Sequence, residues 1–281
     1  MTKLPLTAVV VTYHPTREMI QRIRRHADFL AHVVVVDNTE QAAGDDLALL
    51  QDVTYLPMGS NRGLGDALNA GVEQAASLGW TSVLLLDQDS ELTREAAAVA
   101  LAAQADGIGI VSLHQVVRGR AEPGKQRSGC IDVPVTMTSG SLLDIRAYRS
   151  CGPFDTQLFI DYVDHDYCLR LRRSGYRIVQ CLDASLDHEL GEQATHRMLG
   201  ATVRFVTHRP FRSYYIVRNG LYVAFRYFAD DPWVALGVLK VLCKEIVKAV
   251  AFEGDKLLRL RYMGLGLRHW LANRYGKVAL P

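Results

Sequence analysis

Residues 82–86, Ser-Val-Leu-Leu-Leu, are apolar at four consecutive positions, so a strand built from them has no polar face to turn to water. Such a strand needs cover on both sides, and helices on both faces of a parallel sheet provide it. The run stops abruptly at Asp87-Gln88-Asp89. If the strand period continues, Asp87 and Asp89 project to the same side. Two carboxylates that close repel unless a cation or a hydrogen-bonded sugar lies between them. Hard oxygen ligands suit Mg²⁺ or Mn²⁺, which can also bridge to phosphates. A solvated acidic loop is the bland alternative, and the rest of the chain has to choose between the two.

Other apolar runs repeat the pattern. Residues 7–13 read as a strand stopped by His14-Pro15, and residues 16–30 as a basic amphipathic helix. Residues 32–36 form a second strand that ends at Asp37-Asn38. Open α/β sheets bind nucleotides just past the carboxyl ends of such strands, although a cap or turn role would equally suit Asp37. A short strand over 53–56 is followed by the glycine-rich stretch 59–65 and a helix over 66–78 with Gly79 at its end. Free amides at a glycine-rich helix start can cradle phosphate, and Arg62 would add a charge-assisted contact. The glycine spacing matches neither a Walker A motif nor a dinucleotide fingerprint. A helix over 92–104, a strand over 108–113, a polar loop over 117–129 and a short helix over 145–149 complete this region.

A second dense segment spans residues 158–172. Asp161, Asp164 and Asp166 cluster where a helix begins, and the helix dipole there stabilises carboxylates. One of them aimed at a substrate hydroxyl could act as a general base, and N-capping accounts for at least one of the three. Gly175 closes the helix, and a strand over 176–182 exits at Asp187-His188-Glu189. A histidine flanked by two carboxylates is a metal-ligand or acid–base candidate.

The 281-residue length suits one large α/β domain with an appendage, and charge divides the chain unevenly. Residues 1–195 carry 17 Lys/Arg against 25 Asp/Glu, a net of −8, whereas residues 196–281 carry 15 against 5, a net of +10. A basic tail on an acidic body points to an anionic surface, nucleic acid or phospholipid. Residues 208–222 interleave arginine with tyrosine, and Arg212, Tyr215 and Arg218 could meet phosphates or simply cover the sheet. Residues 233–252 are apolar but carry Lys240, Lys244 and Lys248 as one helical stripe. Those charges oppose a spanning helix and favour one lying in a membrane interface; a packed helix with a basic solvent face is the alternative. Residues 256–274 repeat the basic, aromatic-bearing pattern. Long apolar runs between the lysines argue against a nucleic-acid face. Five scattered cysteines without a CxxC motif predict neither disulfide nor zinc site and fit a reducing cytosol. The first residues read as no signal peptide.

In this order, the motifs resemble inverting family 2 glycosyltransferases of the GT-A fold, and within them bacterial rhamnosyltransferases of cell-surface polysaccharides. The resemblance covers roughly residues 6–222. It rests on residues 10–13, 35–38, Asn61-Arg62-Gly63 with Ala67, Asn69 and Gly71, Asp87-Gln88-Asp89, Ser139-Gly140-Ser141, Asp164-His165-Asp166, His188 and residues 214–219. It implies an α/β GT-A domain with a mostly parallel sheet over 1–222, and the apolar, basic residues beyond it read by their own pattern as a helical, membrane-associating extension over 223–281. It further implies a nucleotide-sugar donor, most readily dTDP-rhamnose, with Thr12, Tyr13 and Asp37 around base and ribose. Asn61 and Arg62 would lie near ribose and diphosphate, with Asp87 and Gln88 on the donor side. Asp89 and His188 would hold Mg²⁺ or Mn²⁺. Asp164 would be the base, with Asp161 and Asp166 as supporting or acceptor-binding carboxylates. A lipid-linked glycan acceptor at the cytoplasmic face of a bacterial inner membrane follows, without nucleic acid, and a homo-oligomer is open. Many family members carry Glu-Asp at the base where this chain has Val163-Asp164, which leaves Asp161 and Asp166 as alternatives. A UDP-sugar donor and a catalytically inert partner subunit are the competing readings. A haloacid-dehalogenase-type phosphatase would need Thr or Val where Glu91 stands.

Overall fold

The computed structural model describes residues 2–41, 47, 49–117, 128–188, 192–198 and 201–280. Strand β1 (Leu4–Thr12) pairs in parallel with β2 (Leu30–Asp37), and α1 (Arg17–Phe29) makes the crossover. Thr16 starts that helix by accepting a hydrogen bond from Met19 N. Strand β3 (Val53–Pro57) adds in parallel to β2, and helix α2 (Leu64–Ser77) leads back across to β4 (Ser82–Asp87), which pairs in parallel with the other edge of β1. Val33–Val36 and Val83–Leu86 are buried at every position, as their unbroken apolar sequence requires. Gly71 lets α2 close onto the sheet, since a Cβ there would meet Val9 and lie 3.0 Å from Val36 Cγ2.

Helix α3 (Arg94–Ala102) precedes β5 (Ile108–Val117), β6 (Cys130–Asp132), β7 (Ser141–Asp144) and helix α4 (Ile145–Cys151). Helix α5 (Val163–Arg173) then leads into β8 (Arg177–His188). The eight-stranded sheet has the order β3-β2-β1-β4-β7-β5-β8-β6. Strands β7 and β6 run antiparallel to their neighbours and the rest run one way, so the sheet is mostly parallel. Helices and strands coincide closely with the sequence expectations as far as α4, and three differences follow. The strand expected over 176–182 extends to His188, because β5 itself continues past 113 and supplies a partner. Residues 118–127 of the expected loop lie outside the described residues, and its end is the short strand β6. Asp89 lies in a turn beyond β4, closed by Ser90 N donating to Asp87 O at 3.1 Å, so the two-residue strand period does not carry from Asp87 to Asp89.

The expectation of no disulfide is corrected, and with it the argument from the cysteines for a reducing cytosol. Cys130 and Cys181 are direct cross-strand partners on β6 and β8 and are bonded, with Cα atoms 4.2 Å apart. The pairing spans 51 residues and depends on a strand that the sequence pattern does not announce.

Contacts divide the chain into two compact units: Met1–Thr156 with Tyr167–Glu189, and Gln157–Asp166 with Leu190–Pro281. The second holds an antiparallel hairpin of β9 (Glu192–Met198) and β10 (Ala201–Thr207) and helices α6 (Arg212–Tyr227), α7 (Pro232–Ala251) and α8 (Lys256–Leu271). The boundary expected after residue 222 falls inside α6. That helix is the centre of this unit: Tyr214 and Tyr215 pack with Phe159 and Tyr262, and Val217 with Ala249 and Met263. Among the described residues, no helix is long and apolar enough to cross a membrane.

Candidate active site

The order of the strands reverses between β1 and β4, since β2 and β3 lie to one side of β1 and β4, parallel to it, to the other. A crevice opens at the carboxyl ends of strands at such a switch point. Register brings Thr12 opposite Asp37 and Val11 opposite Asp87, so three of the expected residues line one edge.

Asp37 is 1 % exposed, and both of its oxygens are engaged. Oδ1 accepts from Thr39 N at 3.1 Å and from Thr39 Oγ1, and Oδ2 accepts from the Tyr55 hydroxyl at 2.5 Å. The Thr39 hydroxyl in turn accepts from His14 N at 2.9 Å. Asn38 organises the glycine-rich stretch: its Oδ1 accepts from Arg62 N at 2.8 Å, and its Nδ2 donates to Gly63 O at 3.2 Å and Asn61 Oδ1 at 3.3 Å. Gly63, at φ +93, then opens α2 without a side-chain cap, leaving first-turn amides directed out of the helix. Arg62 is half exposed and pairs with Asp66 at 2.6 Å. Thr12 is buried, and its hydroxyl donates to Val36 O at 3.5 Å. Tyr13 stands exposed above it.

The turn after β4 is held from three directions. Gln88 Oε1 accepts from Tyr13 N at 2.8 Å, and Gln88 Nε2 donates to Tyr13 O at 3.2 Å. Asp87 N donates to Ser139 Oγ at 3.1 Å, and the Ser139 and Ser90 hydroxyls share a bond of 2.5 Å. From α1, buried Arg22 reaches Gln88 O at 3.3 Å and Glu91 at 2.8 Å. Burial pushes the Glu91 carboxyl up, but hydrogen bonds from Arg25 and Arg22 outweigh it and hold the group below the usual range. Asp87 and Asp89, both part-buried, are therefore carried on a clamped turn. Among the described residues, no group of three or more His, Cys, Asp or Glu side chains gathers as a metal site. The His188 side chain lies outside the described residues.

The acidic segment belongs to the second unit. Phe159, Asp161 and Tyr162 all have positive φ, at 63°, 63° and 65°, a conformation that costs a side-chain-bearing residue energy. Asn219 holds it by donating Nδ2 to Leu158 O and Ile160 O, both at 2.7 Å, and to Asp161 O at 3.0 Å. The three aspartates then separate by environment. Asp166 is fully buried and accepts from the Tyr227 hydroxyl at 2.7 Å. Asp161 is 10 % exposed and held by Arg212 through two bonds, one of 3.3 Å from Nε. Asp164 is the most open at 22 % and accepts from His165 N at 2.8 Å and Nδ1 at 2.9 Å. Burial pushes the Asp164 carboxyl up, yet the adjacent His165 ring more than offsets this and holds it below the usual carboxylate range. Burial pushes His165 down, and the Asp164 carboxylate reverses that, favouring the imidazolium.

Residues 8–161 match the model of the family described as Glycosyl transferase family 2. The chain belongs to this family. It is 28 % identical to the dTDP-rhamnosyl transferase RfbF of Shigella flexneri over 232 aligned positions, covering 75 % of this chain and 77 % of that protein. Identity to the low-salt glycan biosynthesis hexosyltransferase Agl10 of Haloferax volcanii is 22 % over 301 aligned positions, covering 98 % and 94 %. S. aureus TarS 1–349, solved in complex with UDP-GlcNAc, superposes with a TM-score of 0.62 at 15 % identity, over 94 % of this chain and 81 % of that one. GalNAc-T7, solved with UDP, GalNAc and Mn²⁺, gives 0.58 at 12 % identity, over 96 % and 57 %. These two likenesses bear on the fold alone, and that fold is GT-A.

Two expected phosphate contacts of this family 2 chain are corrected by the structure. Arg218 is fully buried and spends its guanidinium on Gly276 O, Gln157 O, Leu158 O, Asn219 Oδ1 and the Tyr214 hydroxyl, with the Tyr214 and Tyr215 rings about it. Tyr215 is 2 % exposed, and its hydroxyl accepts from Val278 N at 3.2 Å. Arg212 is committed to Asp161 and to His208 at 3.2 Å. Conversely, sequence reasoning gave no separate role to Asn38, Thr39, Tyr55, Ser90 or Arg22, which hold the expected residues in place. Only the positions of Asn38 and Thr39, directly after a strand-terminal carboxylate, offered a local signal.

Proposed function

We propose that this family 2 glycosyltransferase moves rhamnose from dTDP-rhamnose, with inversion, to a lipid-linked or polysaccharide acceptor in bacterial cell-surface glycan synthesis, at the cytoplasmic face of the inner membrane. The observation that carries the donor is the similarity to RfbF, which extends over three quarters of both chains.

In this reading Thr12, Tyr13 and Asp37 frame the base and ribose, while Asn61, Arg62 and the amides opening α2 meet ribose and diphosphate. Asp164 takes the proton from the acceptor hydroxyl as its oxygen bonds to the anomeric carbon, and the bond from that carbon to the diphosphate oxygen breaks. One displacement inverts the centre and requires one base and no nucleophilic carboxylate. Its 22 % exposure favours Asp164 over buried Asp166 and arginine-bound Asp161.

Asp87 and Asp89, with His188 as a further donor, would hold a hard divalent cation such as Mg²⁺ or Mn²⁺. When bound, such an ion neutralises charge on the departing nucleoside diphosphate.

Calorimetric titration and turnover with dTDP-rhamnose, UDP-galactose, UDP-glucose and UDP-GlcNAc, each with Mn²⁺ and with chelator, test this proposal. Metal-dependent binding of dTDP-rhamnose alone is expected. Preference for a UDP-sugar overturns the rhamnosyl assignment, and binding of none favours a catalytically inert partner subunit.

A further inference from the structure

Helices α7 and α8 each seat one face on α6 and leave the other uncovered. On α7, Leu242 packs over Gly220, and Ala249 joins the Val217 cluster. The opposite face exposes Trp233 (83 %), Leu236, Val247 and Val250. On α8, Gly266 lies against the Tyr214 backbone and Met263 faces Val217. Its opposite face exposes Leu257 (84 %), Leu260, Leu267 and Leu271 (68 %) at helical spacing. Exposed apolar stripes of this extent mark an interaction surface.

Charge identifies the partner. Two acids are consumed internally, Glu245 pairing with Lys248 at 2.6 Å and buried Glu253 with Arg259 at 3.2 Å and Lys248 at 3.8 Å, while exposed Asp255 precedes α8. The lysine stripe expected from sequence is thereby shortened, because Lys248 is drawn inward. Exposed Lys240 and Lys244 remain on the open face of α7, and Arg261 and Arg268 flank the leucines of α8. Among the described residues, these four cations form no ion pair. A second copy of the chain would set like charges against one another.

We propose that the open faces of α7 and α8 form a monotopic docking surface for an anionic phospholipid bilayer. Trp233 and the leucines enter the headgroup–acyl boundary, and the cations meet lipid phosphates. Neither helix is apolar enough to cross. The surface is independent of the donor assignment.

The test uses the full chain with vesicles of phosphatidylglycerol and of phosphatidylcholine at low salt. Sedimentation with the anionic vesicles only, release by ~0.5 M NaCl, and a blue shift of tryptophan emission lost in Trp233→Ala are expected. The double variant Lys240→Glu/Lys244→Glu should bind at least about tenfold more weakly, with an unchanged circular dichroism spectrum and nucleotide-sugar titration. Equal binding to neutral vesicles overturns the charge argument. No binding to either, with concentration-dependent dimerisation, makes the face an interface between copies and overturns the proposal.

Discussion

Gln88 and Tyr13 exchange two hydrogen bonds across the carboxyl ends of β4 and β1, 2.8 Å into the carboxamide oxygen and 3.2 Å out of its nitrogen. The residue between the two aspartates thus ties their turn to the tyrosine assigned to the donor base. Gln88→Ala removes both bonds, each worth about 1 kcal/mol. Donor affinity should fall roughly tenfold or more, with the acceptor Michaelis constant unchanged. Calorimetry with the nucleotide-sugar measures it; unaltered affinity would remove Tyr13 and Gln88 from the donor site.

The Asp164–His165 pair makes a pH prediction. Asp164→Asn should lower kcat by about a thousandfold or more, as loss of a general base does, while donor binding persists. Because the His165 ring holds the carboxyl of Asp164 down, the acid limb of the kcat profile should lie below the ordinary carboxylate range in the native chain. In His165→Ala the ring is gone and only backbone hydrogen bonds still oppose burial, so that limb should move to higher pH. An unmoved limb would show that another group titrates.

The cross-strand cysteines predict a thiol count. Cys151, Cys168 and Cys243 are free, so alkylation of the denatured, unreduced chain should label three thiols, and five after reduction. Closing a loop between residues 51 apart stabilises a chain by roughly 4 kcal/mol in the chain-entropy account. The urea midpoint should drop on reduction, and Cys181→Ser should already show the lower value.

What the sequence made legible follows from how local each determinant is. Val33–Val36 and Val83–Leu86 have one favourable environment, the middle of a covered parallel sheet, so the strands and the carboxylates ending them could be placed. Asp161, Asp164 and Asp166 share a residue type and a neighbourhood, and only Arg212 and Tyr227, more than 50 positions away, distinguish them. Arg218 stays open between a phosphate contact and a structural role for the same reason. An arginine among tyrosines suits a phosphate site and a buried cross-link equally until the carbonyls of Gln157, Leu158 and Gly276 come to it.

That cross-link should be costly to cut. Arg218→Met keeps the bulk of the side chain but removes the guanidinium donors to the Gln157, Leu158 and Gly276 carbonyls and to the Asn219 amide oxygen. A loss of about 3–5 kcal/mol in urea unfolding is expected. Because Asn219 and Arg218 together hold the positive-φ segment that precedes Asp164, residual folded enzyme should lose kcat more than donor affinity. Equal losses in both would place the segment outside the catalytic step.

His26, on the buried face of α1, should make the first unit acid-sensitive. Its Nε2 accepts from Leu92 N at 3.3 Å, which requires the neutral ring, and burial lowers its pKa to about 4 despite nearby Glu91. The unfolded chain binds this proton near pH 6.5, so between about 4 and 6.5 the unfolded state holds more protons than the folded one. Stability is therefore complete above that window and declines as pH falls through it, by roughly 3 kcal/mol in total. His26→Gln retains an acceptor for Leu92 N without a titrating ring, so its urea midpoint should fall less than the native one between pH 7 and pH 4.5. Parallel decline in both proteins would move the acid sensitivity to another group, with His208, also lowered to about 4 by burial, the first to substitute.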